Sequence, residues 1–229
     1  MSSYQYELKN VYLGYEFEPS SSTIAYWPLN SETLYTDQSG NWKNLTNVWT
    51  TIWTYQWVSC AYNNWDKNKY AWLNSPLTTS NNSFTASLWF YSLWDSANWQ
   101  SLIQWWYWQT TQAFNMALNK NVMSVWWWSN DTSLNVTKIN QWVHYIITYN
   151  WTTIKAYVNS ELVLTVNLNY TIPTSAKTSL MCNYVRTDWA TSDPLNWYLS
   201  NVIVENKVWT VEEVSKYYNQ NKSLYWITN

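Results

Sequence analysis

Glycine is almost missing from this chain. Gly14 and Gly40 are the only two among 229 residues, where average usage would supply about 16. Histidine occurs once, as His144, and cysteine twice, as Cys60 and Cys182. With no CxxC pair and no Cys/His cluster, these residues do not build a zinc site. The two cysteines are read as buried free thiols rather than as a disulfide. Charge is scarce too: 12 Lys+Arg against 14 Asp+Glu give a net of −2, which excludes the basic footprint of a nucleic-acid binder. No stretch approaches the roughly 18 apolar residues of a membrane-spanning helix. The start, MSSYQYELKN, lacks the basic lead and apolar run of a secretory signal, so none is expected.

What stands in place of glycine is tryptophan, present 22 times. Turns of types I′, II′ and II need a residue with φ > 0, which glycine supplies most cheaply. Yet Asn64-Trp65, Asn98-Trp99, Asn150-Trp151, Asp188-Trp189 and Asn196-Trp197 place Trp directly after Asn or Asp, where glycine belongs. Trp126, Trp127 and Trp128 run into the polar tail SNDTS. A smaller set behaves as ordinary core tryptophan: Trp27, Trp89 and Trp142 in apolar strands, Trp209 before a helix, and Trp105 with them. Setting the other Trp positions to glycine, about 17 in all, restores ordinary usage of both residues. The sequence therefore reads as a translation in which UGA was written as Trp although its source decodes UGA as glycine. Energetics agree. A bulky residue at φ > 0 costs on the order of 1 kcal/mol, and about 17 such sites would match a domain's whole stability.

Short alternating segments recur from Ser21 to Thr210 with polar turns between them, the pattern of an antiparallel sandwich. Expected strands are Thr23–Leu29, Ala71–Leu73, Ser83–Tyr91, Gln100–Trp105, Ala113–Leu118, Val122–Val125, Trp142–Tyr149, Thr153–Val158, Glu161–Asn167, Ser179–Asn183 and Tyr198–Glu205. Thr210-Val211-Glu212-Glu213 is a capping box and starts one short C-terminal helix. Residues 1–20 form a lead or attachment segment and residues 21–229 a single domain.

Four stretches, in order, resemble the laminin G-like modules of the concanavalin A-like lectin/glucanase superfamily, in their bacterial and phage form. They are AYWPLNSETLYTDQSGNWKNLTN (25–47), SFTASLWFYS (83–92), QWVHYIITYNWTTIKAYVNSELV (141–163) and YLSNVIVENKVWTVEEVSKYYNQ (198–220). Trp142 and His144 match the family's usual Trp-x-His start, and Trp151 and Trp197 fall where the family has glycine. Ser160 departs from it, since the hairpin usually carries glycine there. The resemblance implies an all-β, two-sheet antiparallel jelly-roll sandwich and recognition of a carbohydrate or surface glycan.

Retaining glycoside hydrolysis needs two carboxyl groups about 5–5.5 Å apart, and the superfamily's enzymes take them from a Glu-x-Asp-x-x-Glu run. No such run occurs, so no catalytic residue is expected and His144 is read as structural. For a glycan, an aromatic platform beside amides and charges is expected at Tyr62 and Asn63 and at Tyr184, Arg186 and Asp188. No cofactor is required; calcium is the one ion that loop oxygens could hold, with Asp37, Asp66 and Asp193 as ligands. The expected function is a non-catalytic module that binds a glycan or host cell surface. Its expected setting is a phage virion fibre or decoration protein, or a surface adhesin. The alternative is a purely structural virion sandwich that supplies bulk and oligomer contacts without a ligand.

Overall fold

The computed structural model describes residues 17–73, 75, 77, 83–92, 99–106, 114–119, 122–126, 132–137, 140–168, 177–185, 190–192 and 194–225. In chain order the strands are β1 (Thr23–Trp27), β2 (Thr46–Val48), β3 (Thr51–Tyr55), β4 (Val58–Asn64), β5 (Tyr70–Leu73), β6 (Ser83–Ser92), β7 (Trp99–Trp106), β8 (Phe114–Asn119) and β9 (Val122–Trp126). They continue with β10 (Thr132–Thr137), β11 (Gln141–Asn150), β12 (Thr153–Val158), β13 (Glu161–Asn167), β14 (Lys177–Leu180), β15 (Asn183–Val185), β16 (Ala190–Ser192) and β17 (Asn196–Glu205). Helix α1 (Val211–Asn221) and a 3-10 turn (Lys222–Tyr225) close the described chain.

Two antiparallel sheets result. The first has eight strands in the order β13-β12-β11-β6-β17-β4-β3, with β1 also on β17; the second has seven, β10-β9-β8-β7-β14-β5-β2. Strands β15 and β16 pair separately. This is the jelly-roll sandwich that the sequence pattern and the resemblance imply.

Strand alternation explains the core. On β11, Val143, Tyr145, Ile147 and Tyr149 point inward with Phe84, Ala86, Leu88 and Phe90 of β6. They meet Ile103, Trp105, Phe114, Met116, Met123 and Val125 of the second sheet in one apolar layer. Trp27 lies in this layer and donates its indole N–H to the Lys43 carbonyl at 2.7 Å. Cys60 and Cys182 are both buried and free.

The turn β12–β13 is a two-residue hairpin on Asn159 and Ser160, with φ 50° and 69°. Type I′ geometry thus forms here without glycine. The expected strand Ser179–Asn183 is broken instead: Met181 takes φ 68° between β14 and β15. Trp99 and Trp197, expected in glycine-like turns, lie inside β7 and β17 without a positive φ.

The outer face of the first sheet is aromatic. Trp142, Tyr91, Tyr198 and Tyr62 stand in register across β11, β6, β17 and β4. Helix α1 and its 3-10 extension cover the neighbouring rows with Val214, Tyr217 and Tyr225. The expected capping box is present: Thr210 Oγ1 accepts from the Glu213 amide and the Glu213 carboxylate from the Thr210 amide. Lys207 binds the same carboxylate at 2.7 Å and holds it below the usual carboxylate pKa range.

Candidate ligand-binding face

Register decides which side chains face away from the core of the second sheet. Ile103 and Trp105 point inward, so Gln104 points outward, together with its cross-strand partners Asn115 and Ser179. A shift between Ser101 and Ile103 puts Ser101 on the same outer face, opposite Ala117, and Ala117 is opposite Ser124. This outer face is thus built from hydroxyls and amides, whereas that of the first sheet is built from rings.

The polar face is organised internally. Ser101 Oγ donates to Asn115 Oδ1 at 2.8 Å, and Ser179 Oγ to the Cys182 carbonyl at 2.9 Å. Ser101, Gln104, Asn115, Ser124 and Ser179 are all buried. Polar groups out of water must be hydrogen-bonded to avoid a desolvation penalty, and these side chains, at 0–2% exposure, are a polar layer inside the molecule rather than a surface open to a ligand. Lys177 and Trp72 flank it on β14 and β5, with the ammonium 5.4 Å from the ring centroid. Strand β15, which carries Tyr184, lies close to β7.

The sequence-derived candidates are dispersed. Tyr62 is half-buried on the outer face of the first sheet, its ring 5.1 Å from that of Tyr198. Asn63, the next residue, is fully buried, and its amide donates to the Lys69 carbonyl at 2.6 Å and accepts from the Asp66 amide at 3.0 Å. It serves its own loop. The backbone of Tyr184 is in β15; Arg186, Asp188 and Asp193 lie outside the described residues. The structure therefore puts Tyr62 and Tyr184 on strands of different sheets. Gln104, Asn115, Ser101 and Ser124 were not singled out from sequence. Their signal was a polar residue at each end of Ser101–Gln104 and of Asn115–Asn119, and Ser124 within Val122–Val125, which looks the same as any solvent-facing strand.

The calcium candidates are likewise engaged locally. Both oxygens of Asp37 accept hydrogen bonds: Oδ1 from the amides of Tyr26 and Ser39, Oδ2 from the Lys43 amide and the Ser39 hydroxyl. Asp66 Oδ1 accepts from the Asn68 amide at 2.9 Å. Among the described residues, no group of three or more His, Cys, Asp or Glu side chains could hold a metal.

Two other features bear on chemistry. Glu205 on β17 is buried; Oε1 accepts from the hydroxyls of Ser20, Ser22 and Thr23, and Oε2 from the Trp209 indole. It borders a cleft of about 680 Å³ with Phe17, Glu18, Lys207, Glu213 and Lys216, yet its oxygens are occupied as a clamp. His144 is fully buried, and burial lowers its pKa to about 3. Its Nε2 lies 2.8 Å from Ser87 Oγ. Sequestered under α1, this pair has no open side for a substrate.

Comparison with known proteins was made on sequence and on fold. The model of the family described as the concanavalin A-like lectin/glucanases superfamily, the third laminin G type, matches residues 66–215. No curated protein matches the chain. Among solved structures, it is similar to domain 4 of an extracellular arabinanase from Geobacillus stearothermophilus in complex with arabinotriose, at TM-score 0.67 and 13% identity, covering 85% of this chain and 97% of that one. It is also similar to a structure of botulinum neurotoxin type C whose cell entry depends on two ganglioside molecules, at TM-score 0.66 and 15% identity, covering 93% and 52%. The binding domain of botulinum neurotoxin DC with rat synaptotagmin II gives TM-score 0.65 at 13% identity, covering 87% and 51%. The chain thus spans about half the length of these neurotoxin chains.

Proposed function

Because this chain belongs to the concanavalin A-like lectin/glucanases superfamily, as a laminin G-type module, we propose that it is a non-catalytic carbohydrate-binding domain. The observation that carries this reading is the sandwich fold, similar to that of a domain described with arabinotriose; in this chain the buried carboxylate Glu205 is held by three hydroxyls and an indole. The half-buried ring of Tyr62 on β4 is the aromatic surface we assign to the sugar. Similar folds described with arabinotriose and with gangliosides support a glycan as the ligand class.

The setting we infer is a phage virion fibre or decoration protein, or a surface adhesin, which meets a host cell surface. Neighbouring genes for capsid, portal or tail would mark the virion. A glycan array tests the binding itself. A glycan should be retained by the protein and lost by Tyr62→Ala, while both proteins keep the same far-UV circular dichroism. Silence across the array would favour the purely structural module.

A further inference from the structure

The described tryptophans fall into groups that differ in backbone and burial together. Trp42, Trp49, Trp57, Trp65 and Trp151 have φ of 58°, 60°, 68°, 65° and 78°, the left-handed region that a β-carbon opposes. Bulky residues there are genuine outliers. Trp42, Trp49, Trp57 and Trp151 are also 86%, 77%, 61% and 58% exposed, so most of each indole lies in solvent rather than in the core. Trp27, Trp89, Trp142 and Trp209 are 0–5% exposed and have no positive φ.

The local geometry at the five sites is that of glycine. Gln56 and Trp57, with φ 48° and 68°, form the two-residue link between β3 and β4, the position where Asn-Gly is preferred. Trp151 joins β11 to β12 in the same way, one residue after Asn150. Gly40, the one glycine among the described residues, has φ 84°. The remaining non-glycine positions of this kind are all less bulky than tryptophan, and Asn140, Asn159 and Asn201 are of a type that tolerates the region.

We propose that residues 42, 49, 57, 65 and 151 are glycine in the protein as its own cells make it, encoded by UGA, and that Trp27, Trp89, Trp142 and Trp209 are encoded by UGG and are tryptophan. UGA is decoded as glycine in some bacterial lineages, and a translation that assigns it to Trp produces this pattern of loss and gain. The consequence for recognition is direct. The exposed indoles of Trp42, Trp49, Trp57 and Trp151 are not a sugar-stacking platform, and ligand contacts fall to other residues, Tyr62 among them.

The codons and the native protein test this. UGA is expected at all five positions and UGG at the four buried ones. Peptide mass spectrometry of the protein from its own cells should read glycine at 42, 49, 57, 65 and 151. Tryptophan or UGG at any of the five overturns the proposal. Expressed recombinantly, a chain with glycine at the five positions should unfold at a higher urea concentration than the chain with tryptophan. An equal or lower midpoint would also overturn it. Neither outcome depends on whether the protein binds a glycan.

Discussion

The imidazole of His144 lies flat against the indole of Trp89, with ring centroids 4.5 Å apart and planes 13° from parallel. Tyr218 of α1 is parallel to the same imidazole at 6.0 Å. Such a stack suits a neutral ring, and burial lowers the pKa of His144 from 6.5 to about 3. Above pH 6.5 the ring is neutral in both folded and unfolded chains. Between that value and about 3, only the unfolded chain takes up the proton, so stability falls as the pH falls. At about 1.4 kcal/mol per pH unit, acidification from pH 7.5 to 4.5 should remove about 2–3 kcal/mol through this residue. Urea midpoints of the parent and of His144→Phe at both pH values measure it. Parallel losses in the two proteins would show that the proton goes elsewhere.

Glu205 gathers three hydroxyls and an indole N–H. Glu205→Ala leaves these donors without their acceptor, and an unsatisfied buried polar group costs about 1–3 kcal/mol. A loss of about 2–4 kcal/mol is expected from the variant, read as a lowered urea midpoint. Glu205→Gln keeps an oxygen and should lose less. If both variants matched the parent, the clamp would contribute nothing.

At the start of α1, Thr210→Ala removes the acceptor of the Glu213 amide and should destabilise the fold by about 1 kcal/mol. Hydrogen exchange should quicken in the first turn of α1 rather than in β17. Uniform quickening would place the effect elsewhere.

Tryptophan substitutions should divide by backbone. Trp151→Gly relieves a left-handed residue and should raise stability by about 1 kcal/mol. Trp142→Gly, which empties a site 1% exposed, should lower stability by about 3–5 kcal/mol. Thermal unfolding of the two variants beside the parent would decide. The same sign for both would undercut the division.

Much of the fold was legible because alternation and capping are local. Thr153–Val158 and Glu161–Asn167 emerged with the bounds read from sequence, since Asn159-Ser160 marks their turn. Thr210 through Glu213 announced α1 for the same reason. Strands β3 and β4 were hidden, because Gln56-Trp57 gives no turn signal when tryptophan occupies the left-handed position. The buried polar layer was harder still. Gln104 and Asn115 sit on strands whose outward residues look polar whether they meet water or other protein groups, and only register shows that they converge. Tyr62 and Asn63, adjacent in sequence, were read as one site; strand alternation sends them to opposite faces.

Phe17 packs against Tyr26 and Tyr217 at 5.1 and 6.0 Å, and Tyr225 stacks on Trp89 at 3.9 Å. Both ends of the described fold therefore sit on the aromatic, helix-bearing side of the sandwich. Lifting α1 with its 3-10 turn would uncover Trp89 and His144 together, so the rings of this side are shielded as one unit and lose their cover as one.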